Sequence, residues 1–520
     1  MITFPAGRPP ALKRVSRVSG AFRTAAIHVR KRLAAFREFG YSRIVMEFDR
    51  NAFEQARRSR DARFDGRFFI GVSTTGIYCR PVCPAPSPKE SNVRYFLSAA
   101  GAAEAGFRPC LRCRPEASPG TPAWLGTSTT VSRALRLIGE SALDGGGVDQ
   151  LADRLGIGSR HLRRLFLDHL GAAPVAVAQT RRVHFAKRLI DETRLPFTEV
   201  AMASGYGSLR RFNSAFLKMY GRTPTELRRM NAVSTAGEPG RYSLRLRFRP
   251  PFDWNGLLAF LAPRAIPGVE SVSAESYRRT ISVEGKSGSI DVRPAPKGDA
   301  LDLRVRFPEA RALAGIAERV RRLFDLGADP NEIDGRLGAL AAAQPGRRVP
   351  GSWDGFELAV RAILGQQVTV RGATTLAGRI VRAYGTSVEA ETGLTHLFPE
   401  PGKLAAGDFK DIGLTGARAA SIRSLAQAVD HGTLSFHGVV DTTAFLSTFR
   451  GLPGIGEWTA QYVAMRALGD PDAFPSSDLG LLRAAGARSA QELERRAEAW
   501  RPWRAYAAMH LWQMEKKEAE

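Results

Sequence analysis

The chain has four cysteines, and all of them fall between Cys79 and Cys113. They form two short pairs, CRPVC (Cys79, Cys83) and CLRC (Cys110, Cys113), separated by residues 84–109. Two such pairs on separate turns can converge on one tetrahedral ion with four sulfur ligands, which would staple the stretch around them into a small metal-held unit. Four free buried thiols, or two disulfides, are the other readings of this spacing. Confining thiols to one stretch of a long chain is the habit of a reducing cytoplasm, since secreted chains spread cysteines as staples.

At 520 residues the chain exceeds what one core supports, and domains of roughly 100–200 residues predict three to five units. Lys and Arg number 76 against 51 Asp and Glu, a formal charge of +25. That surplus points to a polyanionic partner, and double-stranded DNA or another nucleic acid fits best. A membrane is not expected, because no apolar run approaches a spanning helix and no basic amphipathic tail offers an insertion face. Residues 1–45 hold ten Lys/Arg and one acid, Glu38. They read as a disordered basic arm, a transit peptide, or a mis-called start ahead of Met46, and no secretory signal is discernible.

Turn-rich breaks divide the remainder into 46–118, 125–230, 241–330 and 331–520. The first holds the cysteines and ends in a Pro/Gly/Ser linker. The second is helical throughout and carries an internal repeat: Gly156, Leu162, Phe166, Gly171 and Pro174 recur as Gly205, Phe212, Phe216, Gly221 and Pro224. Past the break NAVSTAGEPG come alternating runs such as YSLRLRFRP and LDLRVRF, which read as antiparallel strands, and from about residue 309 the pattern is helical to the end. The expected fold is multidomain and mostly α. It comprises a small metal-bound α+β domain, an all-α double helix-turn-helix domain, and an α+β half with an antiparallel sheet subdomain and a helical core.

The run FFIGVSTTGIYCRPVC followed by FRPCLRC resembles the zinc-binding amino-terminal domain of Ada, the bacterial adaptive-response regulator. The resemblance implies one zinc ion held by Cys79, Cys83, Cys110 and Cys113, with Cys79 also accepting a methyl group from a DNA methylphosphotriester. Zinc would keep the sulfur deprotonated without a histidine base. Four thiolates on one dication carry two net negative charges, and methylation removes one of them, so the methylated protein should hold DNA more tightly. The thioether has no cheap way back, which makes this a switch. Arg80, Arg108, Arg112 and Arg114 give the site basic surroundings, and the resemblance implies that Thr75, Arg108 and Arg112 contact the DNA backbone.

In the repeat, LADRLGIGSRHLRRLF and EVAMASGYGSLRRFNSAFLKMYGRTP each have a helix, a Gly-containing turn and a second helix. Burying the apolar positions leaves Arg160, His161, Arg163, Arg210 and Arg211 to solvent or to a DNA groove. A helical hairpin with a solvated basic face is the plainer alternative. The second copy, ending in Gly-x-Thr-Pro, resembles the AraC-type DNA-binding domain, which implies sequence-specific binding in successive major grooves.

The stretch FLSTFRGLPGIGEWTAQYVAMRAL sets a Gly-rich turn between helical segments, where Gly454 and Gly456 let backbone amides approach a phosphate. It matches the helix-hairpin-helix of the DNA glycosylase superfamily, and residues 242–514 resemble 3-methyladenine DNA glycosylase II through PPFDW, RLFDLGADP, FELAVRAILGQQV and WRPWRAYAAMHLW. The resemblance implies excision of alkylated bases. Asp478 in FPSSDLGLLRA would steady the oxocarbenium-like sugar, and Trp458, Tyr462 and Trp512 would hold the flipped base. A helix N-cap is the bland reading of Asp478. Gln367 stands where an aliphatic wedge fills the gap left by the flipped base, and Gln513 stands where a close relative has tyrosine. Trp458 occupies the place of the Schiff-base lysine of bifunctional relatives, so strand cleavage is not expected. With no cysteine after Cys113, an iron–sulfur cluster is not expected either.

The sum is an alkylation sensor fused to a base-excising enzyme: a monomer of the cytoplasm and nucleoid, with RNA polymerase as its partner in transcriptional activation. The rival reading is a transcriptional regulator whose glycosylase half serves only as a DNA-binding module.

Overall fold

The computed structural model describes residues 50–119, 129–140, 142–230, 240–389, 393–436 and 442–519. The basic segment 1–45, the start at Met46 and the linker residues 231–239 lie outside them. From Asn51 onward the chain forms one compact unit.

The first part is a four-stranded sheet with the order β3-β1-β2-β4, built from β1 (Phe69–Val72), β2 (Ile77–Cys79), β3 (Val93–Phe96) and β4 (Arg108–Pro109). Phe69, Ile70 and Tyr78 are buried, and the helix Ala99–Glu104, capped by the Ser98 hydroxyl, packs on the sheet. Among the described residues, seven helices follow from Thr129 to Met230. The two copies of the repeat superpose role for role. Gly156 and Gly205 turn between helices at φ +64° and +77°. Leu162, Phe166, Phe212 and Phe216 are completely buried. Gly171 and Gly221 end the second helices in the left-handed region at φ 64° and 65°, and Pro174 and Pro224 open the next ones, where a missing N–H costs nothing. The 19-residue helix Pro174–Glu192 joins the copies.

The carboxy-terminal half begins with a five-stranded antiparallel sheet, β5 (Arg241–Arg247), β6 (Glu270–Val272), β7 (Tyr277–Val283), β8 (Lys286–Pro294) and β9 (Ala300–Arg306), in the order β5-β9-β8-β7-β6. Leu244 and Leu246 on β5 and Leu301, Leu303 and Val305 on β9 point inward, with charged residues between them, the two-residue period of a half-covered sheet. Helices make up most of the remainder. The helix Gly355–Leu364 is buried at every position but Arg361, and Val370–Tyr384, Gly416–Asp430 and Glu457–Arg466 pack around it. The expectation of helix alone beyond residue 309 needs one correction: Thr386–Ser387 and His396–Leu397 pair as a two-stranded ribbon. Two-residue strands are too short to leave a period in the sequence.

Candidate functional sites: a four-sulfur cluster and an aromatic carboxylate pocket

Strand register assembles the cysteines. β2 runs parallel to β4 with Ile77 opposite Arg108 and Tyr78 opposite Pro109, so the next step brings Cys79 alongside Cys110. The Cys110 amide donates to the Tyr78 carbonyl at 3.0 Å. Tight turns then return Cys83 and Cys113, with Cys83 N donating to Arg80 O at 3.1 Å and Arg114 N to Cys110 O at 3.1 Å. The four sulfurs lie within 4.8 Å of one another. Zn–S bonds of about 2.3 Å would place them roughly 3.8 Å apart, so the donor set fits a tetrahedral zinc ion. The protonation of the free thiols makes the same point. Hydrogen bonds from Cys113, Cys79 and Cys83 hold Cys110 far below the ordinary thiol range, while the hydrogen bond with Cys110 drives Cys79 and Cys113 above it. Such a cluster cannot be all thiolate without a cation. Cys110 and Cys113 are buried, whereas Cys79 and Cys83 are partly open.

The basic surroundings need correction. Arg80 is buried, its guanidinium bound to Asp65 and to the Cys113 carbonyl at 3.0 Å. Arg114 pairs with Asp191 at 2.6 Å. Both are structural, because a cation placed between ligand turns is drawn to the nearest buried acid before it can meet solvent. Arg108, Arg112 and Thr75 are exposed, with Arg108 against Gly221 at the end of the helix Leu209–Tyr220. In the repeat, Arg160, His161, Arg163, Arg210 and Arg211 are all exposed. His161 Nδ1 lies 2.9 Å from Arg164 Nη2.

The second site lies in the last third of the chain. Helices Thr442–Arg450 and Glu457–Arg466 flank the turn that holds Gly454 and Gly456, both exposed. At Gly454, φ is +74° and a Cβ would come 2.2 Å from Ser421 Oγ, so only glycine fits. Gln366 pins the turn from the side, donating to Gly454 O and Thr459 Oγ1, both at 2.9 Å. Asp478 caps the helix Leu479–Ala484, accepting from Leu481 N at 3.0 Å. It also accepts the indole N–H of Trp458 on Oδ2 at 2.8 Å and that of Trp512 on Oδ1 at 2.9 Å. Trp458 stacks on Tyr462 with centroids 5.2 Å apart and 12° between planes, and Tyr462 meets Trp512 edge-on at 6.2 Å. Asp478, Trp458, Tyr462 and Trp512 therefore form one cluster. Gln367 is exposed on the neighbouring loop with a left-handed backbone, φ +55°, and Gln513 is half-buried after Trp512.

Three further residues, none marked as a site residue by the sequence, complete the cluster. Phe260 packs on Trp512 at 6.1 Å. Arg466 donates to the Tyr462 hydroxyl at 2.5 Å, and its guanidinium lies over the Phe260 and Tyr462 rings. Arg264 sits 3.8 Å from the Phe260 centroid. Burial alone would raise the Tyr462 phenol, but the charges of Arg466 and Arg264 bring it below its ordinary range. Arg466 follows Tyr462 by one helical turn, a spacing that marks it as a neighbour. Phe260 and Arg264 are far from Tyr462 in the sequence and leave no local signal.

Three family models match successive stretches: the metal binding domain of Ada over residues 52–116, a helix-turn-helix domain over 151–230 and the AlkA N-terminal domain over 243–354. Together with the folds and the two clusters, they define a fusion of an Ada-type metal-binding domain, an AraC-type helix-turn-helix domain and an AlkA-type glycosylase half. A Mycobacterium tuberculosis protein described as "Probable bifunctional transcriptional activator/DNA repair enzyme AlkA" is 43% identical over 473 residues, covering 88% of this chain and 95% of that one. The chain belongs to that bifunctional AlkA family. The DNA-3-methyladenine glycosylase 2 of Escherichia coli is 36% identical over 273 residues, 52% of this chain and 96% of its own length. The Escherichia coli "Bifunctional transcriptional activator/DNA repair enzyme Ada" is 38% identical over 131 residues, 25% of this chain and 35% of its own. No helix among the described residues is long and apolar enough to cross a membrane.

Proposed function

We propose that the protein senses DNA alkylation at Cys79, carries that signal to promoters through its helix-turn-helix pair, and excises alkylated bases at Asp478. The division into 46–118, 125–230, 241–330 and 331–520 assigns one task to each of the first two segments and excision to the last two together. When bound, zinc keeps the four sulfurs as thiolates at neutral pH. Cys79, at the partly open end of β2, attacks the methyl carbon of a methylphosphotriester. The new S–C bond forms as the C–O bond breaks, and the phosphate leaves as an ordinary diester anion. Exposed Thr75, Arg108 and Arg112 steady the backbone, and Arg160, His161, Arg163, Arg210 and Arg211 meet groove edges or phosphates. Transcriptional activation implies contact with RNA polymerase.

In excision, the amides around Gly454 and Gly456 hold a phosphate, Gln367 enters the duplex at the gap, and Trp458, Tyr462 and Trp512 stack on the flipped base. The glycosidic electron pair leaves with the alkylated base, whose ring charge is thereby neutralised. The Asp478 carboxylate opposes the cation left on the sugar, and water then adds with loss of a proton. The observation that best supports this reading is the pair of indole N–H groups converging on Asp478: they orient a carboxylate beside the aromatic cluster, a duty that capping a six-residue helix does not require.

Asp478→Asn separates charge from capping, because asparagine caps about as well as aspartate. Base release from methylated duplex DNA is expected to fall by about 100-fold or more, while the indole N–H left without an acceptor costs about 1–3 kcal/mol of stability. Equal and negligible release from both forms would leave the half a DNA-binding module. For Cys79, transfer of labelled methyl from a methylphosphotriester duplex should mark that cysteine alone and raise promoter affinity at fixed salt. Zinc-loaded protein that stays unlabelled would remove the sensing step.

A further inference from the structure

A cavity of about 400 Å³ opens where the metal-binding sheet, the helix-turn-helix region and the glycosylase half meet. Its distinguishing feature is unbalanced positive charge. Three of the guanidiniums along it face carboxylates: Arg181 meets Glu318 at 3.2 Å, Arg182 meets Asp144 at 2.6 Å, and Arg322 pairs with Glu140. Three others make their hydrogen bonds to backbone carbonyls, with Glu318 acting on Arg321, and Glu140 and Asp470 on Arg136, through charge alone. Arg136 donates to Leu468 O, Arg188 to Arg245 O at 2.8 Å, and Arg321 to Pro119 O and Arg247 O. The acid nearest Arg188 is Glu192 at 3.6 Å.

The remaining acids along the wall do little to offset this charge. Burial raises Asp470 and pushes Asp325 up to about 6, and Glu116 is raised by burial and already faces Lys187 at 3.6 Å. Burial, together with neighbouring arginines, lowers Arg136 and Arg321 to about 10. The buried Ser204 hydroxyl on the same wall has no hydrogen-bond partner among the described residues.

Guanidiniums that outnumber the charged carboxylates around a common space suit phosphate, whose oxygens take their forked donors. The volume lies in the range of small-ligand sites and is too small for a duplex. We propose that this junction binds a small phosphate-bearing anion, gripped by Arg136, Arg188 and Arg321 with Ser204 as an added donor. The three arginines belong to the helices Thr129–Gly139, Pro174–Glu192 and Leu313–Leu323. The occupant therefore bridges the regulatory and glycosylase parts and stabilises their arrangement by mass action.

The test is calorimetric titration of the full chain with inorganic pyrophosphate at fixed ionic strength, alone and with saturating duplex DNA. One saturable site per chain that survives the duplex is expected. Arg188→Gln and Arg321→Gln should each weaken it about 10-fold or more. Glu318→Gln, which removes a negative charge from the wall, should tighten it, an effect that misfolding cannot imitate. Deoxyadenosine diphosphate run in parallel separates the sources: tighter binding than pyrophosphate assigns the site to nucleotides, and equal or weaker binding assigns it to inorganic phosphoanions. Absent saturation, competition by the duplex, or indifference to all three substitutions overturns the proposal.

Discussion

Asp325 shows how one side chain can tie stability to pH. It accepts from Tyr506 OH at 2.8 Å and from Val349 N at 3.3 Å, on a left-handed backbone of φ 50°. Burial pushes its carboxyl up to about 6 despite the nearby Arg348. A free aspartate titrates near 3.9, so between about pH 4 and 6 the folded chain holds a proton that the unfolded chain has lost. Stability therefore falls as pH rises through that window, by on the order of 2–3 kcal/mol at ~1.4 kcal/mol per unit. Asp325→Asn keeps a residue that tolerates the left-handed region and removes the charge. Urea midpoints should show the variant more stable than wild type at pH 7.5, with the gap closing near pH 4, and coincident midpoints across the range would refute the assignment. Sequence alone gives no hint of this shift, because the burial that causes it arises only when the fold packs distant segments around Asp325. Asp478 divides the same way. Its cap could be read from FPSSD, whereas the bond from Trp512, 34 residues on, could not.

Among the elements, the contact between the second sheet and the central helix Gly355–Leu364 rests on buried charge. Arg279 on β7 meets Glu357 at 2.7 Å, Arg361 meets Glu270 at 2.9 Å and Glu357 at 3.0 Å, and Tyr277 donates to Glu270 at 2.6 Å. Burial alone would raise Glu270, but Arg361 and Arg279 hold it below the usual carboxylate range. Arg279→Met leaves Glu357 short of one partner in a buried setting, and breaking such a pair typically costs about 3–5 kcal/mol. Denaturant unfolding at pH 7 should show a loss of that size, and the loss should shrink as pH drops below the usual carboxylate range and Glu270 takes up its proton. A loss under about 1 kcal/mol would mean that solvent reaches the network. The five-stranded sheet, the doubled helix-turn-helix and the hairpin were legible because each rests on a local period or spacing, whereas the strands of the four-stranded sheet, two to four residues long, leave no period. The network was not, since charged residues on a strand and a helix read as solvated faces until the fold buries them.

Across the whole molecule, the break NAVSTAGEPG separates two patterns in sequence but not two cores in space. One continuous cluster of buried apolar side chains runs from Val183, Phe212 and Phe216 in the second helix-turn-helix copy through Leu244, Leu301 and Val320 to Trp503 and Leu511. The first copy, with Leu162 and Phe166, lies in a separate cluster. Polar contacts reinforce the junction, with Arg133 Nη2 donating to Thr442 Oγ1 at 3.0 Å and Arg67 meeting Asp329 at 3.1 Å. Linker composition reports backbone freedom and says nothing about what packs across it, so the shared core could not be read from the sequence. The repeat now supplies its own control. Phe166 and Phe216 occupy matched positions and are equally buried, and truncating either to alanine should cost about 3–5 kcal/mol locally. Six of the seven tryptophans lie beyond residue 250, so tryptophan fluorescence follows the glycosylase half. Phe216→Ala should lower the midpoint of the fluorescence-detected transition, because its cavity opens into the core that the tryptophans report. Phe166→Ala should weaken helical signal at lower denaturant and leave that transition in place. If Phe216→Ala also leaves it unmoved, the two halves unfold independently and the shared core contributes no coupling.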